Sequence, residues 1–165
     1  AIIALVGPSG SGKHQMMERL LNYPNFAHPI SYTTNPRNLK RHRYMMPEEF
    51  DKAEFLESTR YGGYGYGTLK KDVTDLLAQG MSVVMPLDIC GAITLKRQYP
   101  TLMVYCKQSK DKLIENILLK DCGINEKKLR LLALEPERKY ESLCDIIVRE
   151  GEAGKILEIF GGESC

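Results

Sequence analysis

An unbroken apolar run, Ile2-Ile3-Ala4-Leu5-Val6, leads directly into Gly7-Pro8-Ser9-Gly10-Ser11-Gly12-Lys13. A run of this kind, rich in β-branched residues, reads as a buried strand. The segment after Lys13 reads as a helix, so strand, glycine-rich loop and helix follow in the order of a phosphate-cradling P-loop. The glycines let successive backbone N–H groups point inward at a polyphosphate, and the following helix presents its positive dipole end to the same anion. Lys13 suits neutralisation of the β- and γ-phosphates. The candidate phosphate-binding residues are therefore Gly7, Pro8, Ser9, Gly10, Ser11, Gly12, Lys13 and His14. One of them departs from the pattern, which asks for Ser or Thr after the lysine to ligate Mg²⁺ and here has His14.

A length of 165 residues fits one domain with a full core. Hydrophobic residues at 43% and charged residues at 27% are ordinary for a globular protein. The net charge of +2 gives no polybasic signature for nucleic acid. No apolar run approaches the roughly 20 residues of a membrane span, so no membrane insertion is expected. No signal-peptide pattern is visible, and a start inside a strand without Met is expected of a domain from a larger multidomain protein. Cys90, Cys106, Cys122, Cys144 and Cys165 are odd in number and form no C-x-x-C pair. That pattern argues against disulfides and metal frameworks and for a reducing, cytoplasmic setting. His14, His28 and His42 lack metal-ligand spacing.

Further strand-like runs lie at Met81–Leu87, Leu102–Cys106 and Asp145–Val148. Helical periodicity separates them. One helix is expected over Leu69–Gln79 with Gly80 as its C-cap. A second opens at Ser109 with Leu113, Ile114, Ile117 and Leu118 on one face. A third is capped by Asn125 and carries Leu129, Leu132 and Ala133, and a short one covers Glu152–Phe160. Strands alternating with helices predict a doubly wound parallel α/β sheet. Residues 31–68 break the rhythm with Thr, Tyr, Arg and Gly in short alternating stretches, which predicts an antiparallel β insertion. Ligands of such sheets bind beyond the carboxyl ends of the strands, so the insertion would wall a cleft over the P-loop.

Several motifs follow in register: G-P-S-G-S-G-K, then Ser31-Tyr32-Thr33-Thr34-Asn35-Pro36-Arg37, then Phe55-Leu56-Glu57, then Tyr66-Gly67-Thr68, then an apolar strand ending at Asp88. In order and spacing the chain resembles guanylate kinase along essentially its whole length. The resemblance implies a P-loop nucleoside monophosphate kinase fold for the single domain 1–165. Its parallel sheet would be flanked by helices, with residues 31–68 as a GMP-binding subdomain and about 109–141 as a helical lid. It implies that Ser31, Arg37, Tyr44 and Tyr66 hold the GMP phosphate and that Glu57, Thr68 and Asp88 read the guanine edge. A guanidinium fork and hydroxyl donors suit the first task, and a carboxylate accepting from N1–H and the 2-amino group suits the second. Lys13 and Arg130 match the family's catalytic cations.

The departures cluster where the family does its chemistry. Asn35 replaces the first arginine of T-T-R, and the segment Asn38–Arg43 is short, basic and without the family's glutamate. Pro86 replaces the first aspartate of D-x-D, and Asn116 and Lys120 stand at two lid arginine positions. Histidine is a poor Mg²⁺ ligand, so Mg-ATP is the implied cofactor but no protein-ligated metal is expected. Phosphoryl transfer rests on positioning and charge neutralisation. These losses favour a binding module with weak or no activity, a pseudokinase whose former GMP site grips GMP or a phosphorylated protein segment, as in membrane-associated scaffolds. The alternative is an active, divergent guanylate kinase that transfers the ATP γ-phosphate to GMP.

Overall fold

The computed structural model describes residues 1–160; Cys165 lies outside the described residues. Strand β1 (Ile2–Val6) is buried throughout and sits at the centre of a five-stranded sheet. Its neighbours are β7 (Ser82–Pro86) and β8 (Thr101–Cys106), with β2 (Phe26–Ala27) and β9 (Ile146–Val148) at the edges, and all pairs are parallel. A parallel sheet must be covered on both faces, and the alternation along β1 does this. Ile3 and Leu5 join Met16 and Leu20 of α1 (Lys13–Leu20) and Ile156 of α7 (Gly154–Ile159) in one cluster. On the opposite face Ile2 packs with Val73 of α3 (Lys70–Ala78) and Leu95 of α4 (Ile89–Gln98), while Ala4 and Val6 pack with Ile89 and Ala92. This is the doubly wound α/β architecture expected of the sequence.

The insertion forms a separate sheet in the order β4-β3-β6-β5, from β3 (Ser31–Thr33), β4 (Arg43–Tyr44), β5 (Phe55–Tyr61) and β6 (Tyr64–Leu69). It is antiparallel except that β3 and β4 run parallel, with Tyr32 opposite Arg43 and Thr33 opposite Tyr44. Helix α2 (Pro47–Lys52) packs Phe50 against its back, where Phe50 and Phe55 lie with ring centroids 4.4 Å apart. Gly65 and Gly67 make room for these rings: a Cβ would stand 2.5 Å from Phe50 at Gly65 and 2.7 Å from Phe55 at Gly67.

Helix α5 (Lys110–Leu118) is capped by Ser109 as expected, its side chain accepting from the Lys112 N–H at 3.3 Å. Helix α6 (Ile124–Arg138) departs from expectation. It starts one residue before Asn125, which therefore lies inside the helix, and Gly123 takes the N-cap position. Leu129 and Leu132 are 60% and 77% exposed, because the face that meets α5 is centred on Leu134, which packs with Leu113 and Ile117. Leu118 is likewise exposed, half a turn off the Leu113–Ile117 stripe. A short 3₁₀ turn (Lys139–Leu143) returns the chain to β9.

Phe50 carries the back of the insertion. Phe50→Ala is expected to destabilise the protein by about 3 kcal/mol and to accelerate amide exchange at Gly65 and Gly67 while leaving β1 protected, as hydrogen-exchange NMR with urea melts will read.

Candidate functional site

The loop between β1 and α1 closes tightly. The Ser11 N–H donates to the Pro8 carbonyl at 3.1 Å, and Gly10 and Gly12 take φ of +86° and +90°, values that glycine adopts without strain. Gly12 is the N-cap of α1 and offers no side chain to its first N–H groups, which stay open to a ligand. Lys13 folds back so that its ammonium donates to the Gly7 carbonyl. Burial lowers its pKa, opposed by the charge of Glu137.

One side chain each from α5 and α6 holds the loop. The Asn116 amide donates to the Gly10 carbonyl at 2.8 Å. Arg130 donates to Ser9 Oγ at 2.6 Å and to Glu126 at 2.7 Å. Together these groups line a cleft of about 1330 Å³ that also takes in His14, Arg41, Lys120 and Asp88. Two polar atoms of its wall, Ser11 Oγ and Arg130 Nε, are buried without a hydrogen-bond partner.

The same surroundings do not fit a metal ligated by the loop. His14 presents an imidazole whose pKa is pushed down to about 4 by burial and then by the charges of Arg41, Lys13 and Lys120. Pro86 ends β7 without a carboxylate. Among the described residues no three His, Cys, Asp or Glu side chains gather at a metal-binding distance.

The predicted nucleoside-monophosphate residues lie mostly on one face of the insertion, and register is the reason. Partners across a sheet share a face. Ser31 pairs with Thr68 and Thr68 with Glu57, while Thr33 pairs with both Tyr66 and Tyr44. Ser31, Tyr44, Glu57, Tyr66 and Thr68 therefore point the same way, opposite to the face covered by Phe50 and Phe55. Thr68 donates to Glu57 Oε1 at 2.8 Å. Burial raises the Glu57 pKa; the Thr68 bond opposes this and the Asp88 charge adds to it. Asp88 caps α4 by accepting from the Gly91 N–H at 2.6 Å, and it lines the P-loop cleft, so it stands between the two surfaces.

Arg37 stands apart, exposed on the turn after β3, where its backbone N–H donates to Asn35 Oδ1 at 3.0 Å. The Tyr66 hydroxyl is engaged already, accepting from the amides of Asn35 at 3.4 Å and Asn38 at 3.3 Å. Glu137 opposite Lys13 and the Glu126 partner of Arg130 were not anticipated. The Glu126–Arg130 spacing of four residues was a readable signal; the approach of Glu137 to Lys13 depends on tertiary packing alone.

Comparison with known proteins agrees with this geometry. The family model described as Guanylate kinase matches residues 1–160. The chain is 29% identical to the guanylate kinase of Clostridium tetani, over 99% of this chain and 86% of that one. It is 32% identical to the guanylate kinase of Wolinella succinogenes, over 90% and 75% respectively. The crystal structure of guanylate kinase from Anaplasma phagocytophilum superposes with a TM-score of 0.67 at 18% identity, covering 98% of this chain and 85% of that one, which is a likeness of fold. With a strand–loop–helix phosphate cradle, a four-stranded insertion and a family match that spans nearly all of its length, this chain belongs to the guanylate kinase family.

Proposed function

We propose that this chain is a working guanylate kinase that moves the γ-phosphoryl group of ATP to GMP, giving ADP and GDP. The observation that carries the reading is the pairing of two polar surfaces on one chain. An anion cleft is built on Gly7–Lys13, and a polar sheet face bears Ser31, Tyr44, Glu57, Tyr66 and Thr68, with Asp88 between the two. The names of the relatives support it. In this reading the single domain divides into the core sheet, the 31–68 insertion for GMP and the lid at about 109–141, and it works in the cytoplasm. No helix among the described residues is long and apolar enough to cross a membrane.

The chemistry needs little covalent help from the protein. An oxygen of the GMP phosphate attacks the γ-phosphorus of ATP, the bond to the β-phosphate oxygen breaks, and ADP leaves with that electron pair. The protein positions the two and neutralises charge. The open N–H groups of α1 and Lys13 hold the transferring end of ATP, and Arg130, oriented by Glu126, exchanges Ser9 for a phosphate oxygen. Glu57 accepts from guanine N1–H and the 2-amino group while Thr68, already its neighbour, turns to O6. Arg37 on its mobile-length side chain and the hydroxyls of Ser31, Tyr44 and Tyr66 take the GMP phosphate. Magnesium would neutralise charge on the ATP phosphates, and neither the imidazole of His14 nor Pro86 supplies a side-chain oxygen to hold it. With asparagine and lysine at positions 116 and 120 of the lid, turnover is slow; a missing arginine alone costs roughly 10³–10⁵ in rate.

A second reading rests on those same positions. With His14, Pro86, Asn116 and Lys120 in place, the chain binds GMP or a phosphorylated protein segment, without turnover, as a module of a larger scaffold.

Purified protein with ATP, Mg²⁺ and GMP should form GDP by chromatographic assay, and Lys13→Met should abolish it. Absence of GDP at high enzyme concentration removes the kinase reading and leaves the second. That reading then requires NMR shift changes at Ser31, Arg37, Tyr44 and Tyr66 with GMP or a phosphopeptide.

Glu57 sets a pH dependence. Its carboxylate must be ionised to accept two N–H bonds, and its pKa is raised. GMP affinity measured by calorimetry should therefore fall on acidification at a pH above the ordinary glutamate value of about 4.3. Glu57→Gln should bind GMP about tenfold more weakly and lose that slope.

A further inference from the structure

The basic turn between Arg37 and Tyr44 has no part in the reaction described above. It is wound around Tyr66. Asn35 and Asn38 donate to the Tyr66 hydroxyl, and the His42 ring stands edge-on to the Tyr66 ring with centroids 5.2 Å apart. Arg43 is then fixed in β4 opposite Tyr32. Next to His42 in this turn, the exposed Arg41 lines the P-loop cleft together with Lys13, His14, Lys120 and Arg130. Arg37, Lys40 and Arg43 do not line it. Arg41 forms no ion pair with a carboxylate among the described residues. Its charge is the largest of those acting on His14, and it also acts on Lys120.

We propose that Arg41 is a phosphate-binding residue of the nucleoside triphosphate cleft, supplying from the insertion the positive charge that a metal ligand at position 14 would otherwise recruit. This rests on the reading that the cleft takes ATP. A guanidinium binds two phosphate oxygens through a planar fork and stays charged at any working pH. It stands beside the one loop position where the side chain is a neutral imidazole in place of a hydroxyl, so cationic charge returns to that spot from a different segment. ATP binding then depends less on a divalent ion than loop-ligated magnesium would require.

Calorimetric titration of the full chain with ATP, in EDTA and in excess Mg²⁺, tests this without any need for turnover. The wild-type chain should bind ATP in EDTA. Arg41→Ala should weaken that binding about tenfold or more, Arg41→Lys should recover part of it, and the loss should shrink in Mg²⁺. GMP affinity should be unchanged in Arg41→Ala. Thermal melts check folding, with Arg41→Gln as the second neutral variant. Wild-type affinity of both neutral variants in EDTA, an equal loss with and without Mg²⁺, or wild-type binding of ATP only with Mg²⁺ would each overturn the proposal. A chain that forms GDP yet loses no ATP affinity in Arg41→Ala sinks this proposal alone; one that binds ATP through Arg41 but forms no GDP sinks the kinase reading alone.

Discussion

The close approach of Gly7 to the end of β8 is the constraint on which the cleft depends. A Cβ at Gly7 would stand 2.8 Å from the Cys106 carbonyl and 2.7 Å from Ser11 Oγ, and φ is +153°. Only glycine lets the chain leave β1 this near its neighbour. The loop then leaves the carboxyl end of the central strand and leads into α1, whose first N–H groups have no side-chain cap. It also sets the Gly7 carbonyl where Lys13 can donate to it. A larger residue at this point moves the loop, the lysine and the helix start together, because the Cys106 carbonyl is backbone and cannot turn aside.

The insertion solves a different problem with the same residue type. In Tyr64-Gly65-Tyr66-Gly67-Thr68 the alternate residues face opposite ways. The glycines leave depth for Phe50 and Phe55 behind the sheet, while Tyr66 and Thr68 stay on the front. One short strand thus carries both the glycines that admit the packing rings and the hydroxyls of the opposite face. The buried Thr34 ties the arrangement together, its hydroxyl accepting from the Gly65 N–H at 2.9 Å.

The core was legible because burial on both faces writes an unmistakable run. Ile2–Val6, Val83–Met85 and Leu102–Cys106 admit no amphipathic alternative, and Gly80, with φ of +78°, closes α3 where its position after the helical pattern placed it. The lid was read less well. Leu129 and Leu132 carry helical spacing, yet they are exposed, since a helix that leans on one partner through Leu134 leaves much of its apolar surface outside. Periodicity reports a face without saying whether anything covers it. Helix α2 was hidden because six residues are too short for a periodic signal. Among the site residues, the row Ser31–Thr68–Glu57 follows once the strands are paired. The wrapping of residues 35–42 around Tyr66 joins side chains distant in sequence, and no local pattern announces it. Kinship with proteins named guanylate kinases weighs toward the enzyme, while His14, Pro86, Asn116 and Lys120 weigh toward a binding module.

The lid's contacts with the loop explain how those losses can coexist with a cleft ready for phosphate. Asn116 has no charge to give a phosphoryl group, but its amide holds the Gly10 carbonyl at 2.8 Å, and a Cβ at Gly10 would meet Asn116 Cβ at 2.9 Å. The residue has become a pin between α5 and the loop. Arg130 is held differently. Its guanidinium donates to a neutral hydroxyl at Ser9 and to a carboxylate at Glu126, and the bond that joins two opposite charges is the stronger of the pair. Of the two contacts, the one to Ser9 is the easier for an anion to displace, and the Glu126 pair is the one that keeps the guanidinium in place. Arg130 thus ties α6 to the P-loop through Ser9 while the first turn of its own helix holds it in place through Glu126.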